Sequence, residues 1–167
     1  MKLSAQEEYG LRCLLQMATR GDATSLSIPE ISRAEGLSVP NVAKLMRLLR
    51  LSGFVKSVRG QAGGYTLARP ASQIPISAVL ESLGGRLFGP KFCDRHAGLV
   101  ERCAHDGDCS LRSVWGTLQA TIERALSGMT LADLLRTEAE MSGFMASRTH
   151  QIQAANGVEA RGIEARM

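Results

Sequence analysis

Cys93, Cys103 and Cys109 fall within one short stretch that also holds His96, His105, Glu101 and the acids Asp94, Asp106 and Asp108. Thiols crowded among imidazoles and carboxylates point to a metal or iron–sulfur site, because thiolates hold soft metals and iron–sulfur clusters. Small and polar residues such as Gly98 and Gly107 suit a loop that must bend three thiolates toward one point. The spacing alone leaves zinc open beside iron–sulfur. No Cys-x-x-Cys pair is present, and the sequence alone places no general base to activate a cysteine, which argues against a thiol oxidoreductase. The fourth cysteine, Cys13, is isolated and reads as a small core hydrophobe.

What must position these residues is a chain of 167 residues, 44% of them hydrophobic, enough for one ordinary domain with a real core. An odd cysteine cluster without a signal-like apolar segment is a poor disulfide framework, so a reducing cytoplasm is expected. No apolar run approaches the roughly 18 residues of a membrane span. The net charge is +4, unevenly spread. Between Arg33 and Arg69 seven basic residues face the single acid Glu35, a local +6 that leaves −2 for the rest. A basic block inside an apolar-patterned segment is the electrostatic footprint of a nucleic-acid binder.

Two capping boxes open the chain. Ser4 with Glu7 starts a helix whose Leu11, Leu14, Leu15 and Ala18 share a face, and Ser27 with Glu30 starts a shorter one ending at Gly36. Ser38 is expected to cap a third helix with Pro40 in its first turn, closed by Gly53. Helical spacing places Val39, Val42, Leu45, Met46 and Leu49 on one side of it and Pro40, Ala43, Lys44 and Arg47 on the other. Strands are expected at residues 54–58 and 65–68, joined by a glycine-rich tip that carries Arg59 and Gly60. A short helix, a glycine turn, a helix with a small and basic outer face and such a hairpin compose a winged helix-turn-helix. Its second helix enters the major groove, and an arginine at the hairpin tip can enter a narrow minor groove.

Further on, residues 76–83 form a helix stopped by Gly84 and Gly85, and the cysteine loop runs to Cys109. Ser110 is expected to cap a long helix in which Leu111, Val114, Trp115, Leu118, Ile122, Ala125 and Leu126 make a nearly heptad-spaced stripe, suited to packing against a second subunit. A capped turn covers residues 130–135, and beyond Arg136 little periodicity is left. The expected fold is therefore mainly α with a small β-hairpin, a winged helix-turn-helix plus a long dimerisation helix. Its parts are a DNA-binding domain at 1–83, a cysteine-rich cluster-binding loop at 84–109, a dimerisation helix and short C-terminal helix at 110–136, and a mobile tail at 137–167.

Several local patterns occur in one order: Lys2-Leu-Ser4 with Tyr9 and Gly10, Ile31-Ser32 with Glu35-Gly-Leu-Ser38, Leu49-Arg50 with Gly53-Phe-Val55, and Ser57-Val-Arg-Gly60 with Gly63-Gly-Tyr-Thr-Leu67. They resemble the iron–sulfur cluster regulator and nitric-oxide-sensitive repressor (IscR/NsrR-type) superfamily of bacterial winged-helix transcription factors. The resemblance implies a homodimer on a palindromic double-stranded DNA operator, with the third helix in the major groove and the wing in the minor groove. By position, Ser38, Pro40, Asn41, Ala43 and Lys44 would face the DNA, with Arg47 and Gly60 among the contacts and Arg59 in the minor groove. It also implies that Cys93, Cys103 and Cys109 bind a 2Fe-2S or 4Fe-4S cluster whose state sets operator affinity in response to iron–sulfur status, redox state or nitric oxide.

Two positions depart from the better-known members. The gaps of nine and five residues between the cysteines are longer overall than their compact triad, and Arg112 stands where cluster-assembly regulators carry a histidine. Nitric-oxide-sensitive members take the fourth ligand from an acid on the first helix of the other subunit. Glu8 occupies that place here, with His105 the alternative inside the loop. The expected protein is not an enzyme. Its rival is a winged-helix interaction protein whose cysteines hold a structural zinc ion.

Overall fold

Ser4 Oγ accepts from the Glu7 amide at 3.3 Å while the Glu7 carboxylate accepts from the Ser4 amide at 2.9 Å, so helix α1, Ala5–Thr19, begins where its cap lies. The structure is a computed structural model that describes residues 4–60 and 63–164, with side chains as far as Ile152. Lys2 and Leu3 of the opening motif, and Gln61 and Ala62 of the wing tip, lie outside the described residues.

A second box, Ser27 with Glu30, opens α2, Ile28–Glu35, which ends on Gly36 in the left-handed conformation at φ 64°. Helix α3, Val39–Leu51, follows after the three residues Gly36, Leu37 and Ser38. Val42, Leu45, Met46 and Leu49 are at most 1% exposed and pack with Cys13, Leu14 and Met17 of α1 and Ile31 of α2 into one core. Strands β1, Val55–Val58, and β2, Gly64–Leu67, pair antiparallel from Val55 opposite Leu67 to Val58 opposite Gly64. Each begins one residue before or after its expected limit: Phe54 is in the turn, and Ala68 instead donates its amide to the Phe54 carbonyl. Leu26 joins the hairpin through reciprocal amide bonds with Tyr65, which fixes the wing to the start of α2.

Helix α4, Ile76–Gly84, packs against α1. The one-turn α5, Phe92–Arg95, lies inside the cysteine loop, and the long α6, Ser110–Leu126, follows it. The cap of α6 is Cys109 rather than Ser110, and its side chain makes no capping bond. A 3-10 turn at Leu131–Leu135 carries its own Thr130–Asp133 capping box and returns the chain to the core, with Leu131 fully buried.

The last segment differs from its expectation. Thr137 and Glu140 form reciprocal capping bonds, and α7 runs Glu138–Glu164 where no regular structure was expected. The reason is physical: its apolar residues form no continuous stripe, and among its described side chains only Met141, Phe144 and Met145 near its start pack on the core. Arg136 and Arg148 lie over the Phe144 ring, at 4.4 and 5.4 Å from its centroid.

Candidate nucleic-acid interface and metal centre

The core face of α3 is spent on packing, and its opposite side is open. Pro40, Lys44, Arg47 and Arg50 are exposed, with Asn41 and Ala43 half-buried at the margins. Ser38 stands at the N-cap with extended backbone but makes no side-chain capping bond, so its hydroxyl remains on the exposed first turn. Val39, expected on the buried side, is 48% exposed: the first turn projects past the core and nothing covers it there.

The single acid of the basic block is neutralised locally. Arg12 on α1 donates from Nε to the Glu35 carboxylate at 2.9 Å and from Nη2 to the Glu35 carbonyl at 2.6 Å. The hydrogen bond to Glu35 holds the Arg12 guanidinium above its usual pKa. Arg12 thus clamps the end of α2 and leaves the face of α3 uniformly positive. Sequence reasoning missed this residue, because a pair between two helices leaves no periodic signal.

At the wing, Arg59 is exposed beside Gly60, whose φ of 117° only glycine adopts easily. Gly63 closes the tip by donating to the Gly60 carbonyl at 2.9 Å, and a Cβ at position 63 would come within 2.7 Å of that oxygen. Arg59 and Gly60 therefore sit on a tight hairpin end, as the glycine-rich sequence led us to expect. Arg69 lies over the Phe54 ring at 5.5 Å, at the base of the same hairpin.

The cysteine loop is held differently. Arg86 bridges Glu81 and Glu123 at 3.2 and 3.0 Å, and the Phe88 amide donates to Gln119 Oε1 at 3.1 Å, so the loop's start is tied to α4 and α6. Its end is tied by Arg112, which donates to the Asp106 carbonyl at 2.9 Å. Between these anchors His96 stacks on Phe92 at 4.2 Å and shares a 2.7 Å hydrogen bond with the Phe92 carbonyl, while Leu99 and Val100 are open to solvent. Cys93, Cys103 and Cys109 are free thiols, each half-buried.

Their chemistry suits a soft metal group, and Cys109 is the N-cap residue of α6. The single chain does not gather them: among the described residues no group of three or more His, Cys, Asp or Glu side chains is arranged to hold a metal ion. Glu8, exposed on α1, and His105, exposed in the loop, join no such group either. Cys13 is wholly buried, and burial pushes its thiol up to about 12.

The profile of the Rrf2 family, described as an iron-dependent transcriptional regulator, matches residues 3–137. The chain belongs to the Rrf2 family. Protein rrf2 of Nitratidesulfovibrio vulgaris is 38% identical over 136 residues, covering 81% of this chain and 88% of the relative. The HTH-type transcriptional regulator IscR of Salmonella paratyphi B is 25% identical over 167 residues, covering 100% and 99%. Among solved structures, T. potens IscR superposes with a TM-score of 0.63 at 32% identity, over 81% of this chain and 86% of that one. CymR, the global cysteine regulator of B. subtilis, gives 0.64 at 27% identity over 80% and 95%. This Rrf2 chain is a DNA-binding transcriptional regulator and not an enzyme, with the winged helix-turn-helix its sequence led us to expect. No helix among the described residues is long and apolar enough to cross a membrane.

Proposed function

We propose that this Rrf2 regulator is a cytoplasmic homodimer that binds a palindromic operator and adjusts its affinity through an iron–sulfur cluster. The observation that carries the DNA part is the first half of α3: a rigid, core-anchored helix presents Ser38, Pro40, Asn41, Ala43, Lys44 and Arg47 on a face with no competing acid. Backbone phosphates favour that charge, and base edges in the major groove meet the first turns. Arg59 and Gly60 then extend the footprint into the minor groove. Homodimerisation is supported by α6, which has no buried residue in the single chain and exposes Leu111, Val114 and Leu118 at 57%, 50% and 42%.

Cys93, Cys103 and Cys109 would hold the cluster, of 2Fe-2S or 4Fe-4S type, and Glu8 of the partner subunit would complete it, with His105 the alternative. A bound cluster supplies a redox- and ligand-sensitive centre. The chain's own part is to draw three loop thiolates together and, through Cys109, to set the start of α6. Because α6 is also the dimer helix, that loop and the spacing of the two α3 helices become linked, a two-state coupling. Anaerobic isolation followed by iron, sulfide and visible-spectrum measurement tests the cofactor: a brown protein with iron and acid-labile sulfide in equal amounts supports it, and a colourless protein containing zinc rejects it.

A further inference from the structure

The four buried side chains of α3 and the half-buried Leu48 account for its packing, and Val39 is not one of them. At 48% exposure, on the first residue of the helix, it lies between Ser38 and Pro40, both exposed. The fold gives no reason for a valine here. A β-branched residue has a lower helix propensity than alanine, and an apolar side chain in water gains nothing by staying there. The position is, however, where a recognition helix meets base edges, since its N-terminal residues reach the floor of the major groove. A valine has neither donor nor acceptor and cannot read the hydrogen-bond pattern of a base pair. One feature of the major groove is apolar, the C5-methyl group of thymine.

We propose that Val39 is a specificity-determining residue that reads a thymine by covering its C5-methyl group. The proposal rests on the placement of α3 in the major groove and names what one residue of that helix recognises there. Ala43, one turn further along the same side, is small enough to let the first turn approach closely. The polar neighbours Ser38, Asn41 and Lys44 are left to hydrogen-bond bases or phosphates. Val39 thus distinguishes thymine from cytosine, which lacks the methyl group, at a point where hydrogen bonding to the valine is not available.

The test uses the full chain, purified anaerobically, and a duplex selected by the protein itself from a random-sequence DNA pool. Copies of that duplex are made with each thymine in turn replaced by deoxyuridine, which removes only the methyl group. One thymine in each half-site is expected to stand out, its replacement weakening binding about fourfold, the effect of losing one buried methyl-sized group. Val39→Ala should bind the thymine duplex about as weakly as the wild type binds the deoxyuridine copy, and should not distinguish the two. Val39→Thr, which keeps the shape, serves as a second variant, and both should unfold at the wild-type temperature because the side chain is exposed. If no deoxyuridine copy weakens the wild type by more than twofold, or if Val39→Ala suffers the same loss as the wild type, the proposal is overturned. Failure to enrich any duplex would instead overturn the DNA reading on which it rests.

Discussion

Helix α3 and the cysteine loop carry the two sets of residues to which the proposed function assigns DNA reading and sensing, and they are held in opposite ways. Four side chains of α3 are at most 1% exposed, whereas Cys93, Cys103 and Cys109 are only half-buried and Leu99 and Val100 face solvent between them. α3 is fixed before any ligand arrives, by the core and by the Arg12 clamp on α2. Among the described residues the loop is tied at its ends, by Arg86, Phe88 and Arg112, and its three thiols are not arranged to hold a metal ion. A recognition surface gains from being rigid, since ordering it on binding would weaken affinity. A sensing loop gains from being incomplete, because whatever completes it then changes its structure.

The contrast is broken most severely at the cysteines. Cys93→Ala, Cys103→Ala and Cys109→Ala should each abolish the visible spectrum of the anaerobic protein, while far-UV circular dichroism and the unfolding temperature of the apoprotein stay as they were. Cys13→Ala should leave the spectrum intact. Glu8→Ala should alter the spectrum and oxygen stability more than His105→Ala does; the reverse order would move the fourth ligand into the loop.

Leu45→Ala acts on the other region. Removing a fully packed side chain beneath α3 should cost about 2–5 kcal/mol in urea unfolding, and no loop-cysteine substitution in the apoprotein should approach that. Equal costs would mean that the loop is as firmly built as the recognition helix. Arg59→Ala should weaken operator binding by about tenfold in a gel-shift titration at fixed salt, consistent with loss of a minor-groove arginine. Lys44→Ala should weaken it less and lower the salt slope by about one if it meets a phosphate.

The smallest effect separates two serines within the module. Ser27→Ala should cost about 1 kcal/mol in thermal unfolding, because Ser27 takes part in a capping box. Ser38→Ala should fall within about 0.5 kcal/mol of wild type, since its hydroxyl makes no capping bond, and should show its effect on DNA affinity instead. A loss at Ser38 equal to that at Ser27 would show that its hydroxyl serves the fold.

What was legible in the sequence follows the same division. Ser4 with Glu7 and Ser27 with Glu30 announce helix starts because a capping box is a local interaction between residues three apart, and both form as expected. The wing was legible because Gly60 and Gly63 are demanded by backbone geometry at one spot. Val39 was misplaced because an angular position on a helix does not say how far the core extends along it. Arg12 with Glu35 was invisible because the pair joins two helices. The arrangement of the loop thiols was not legible either: spacing lists the donors, and only tertiary structure or a bound group brings them together. Helix α7 was missed because Met141, Phe144 and Met145 are too brief a stripe to stand out.

The claim that a rigid DNA-reading head is governed by an incomplete cysteine loop is tested most directly by operator affinity measured on one anaerobic sample before and after removal of its cluster. The visible spectrum is followed in the same cuvette, and iron is removed by a chelator under reducing conditions. The account predicts an affinity change of at least about tenfold that runs in step with the spectrum and is absent from Cys103→Ala. A brown protein that binds its operator equally well with and without the cluster would contradict it.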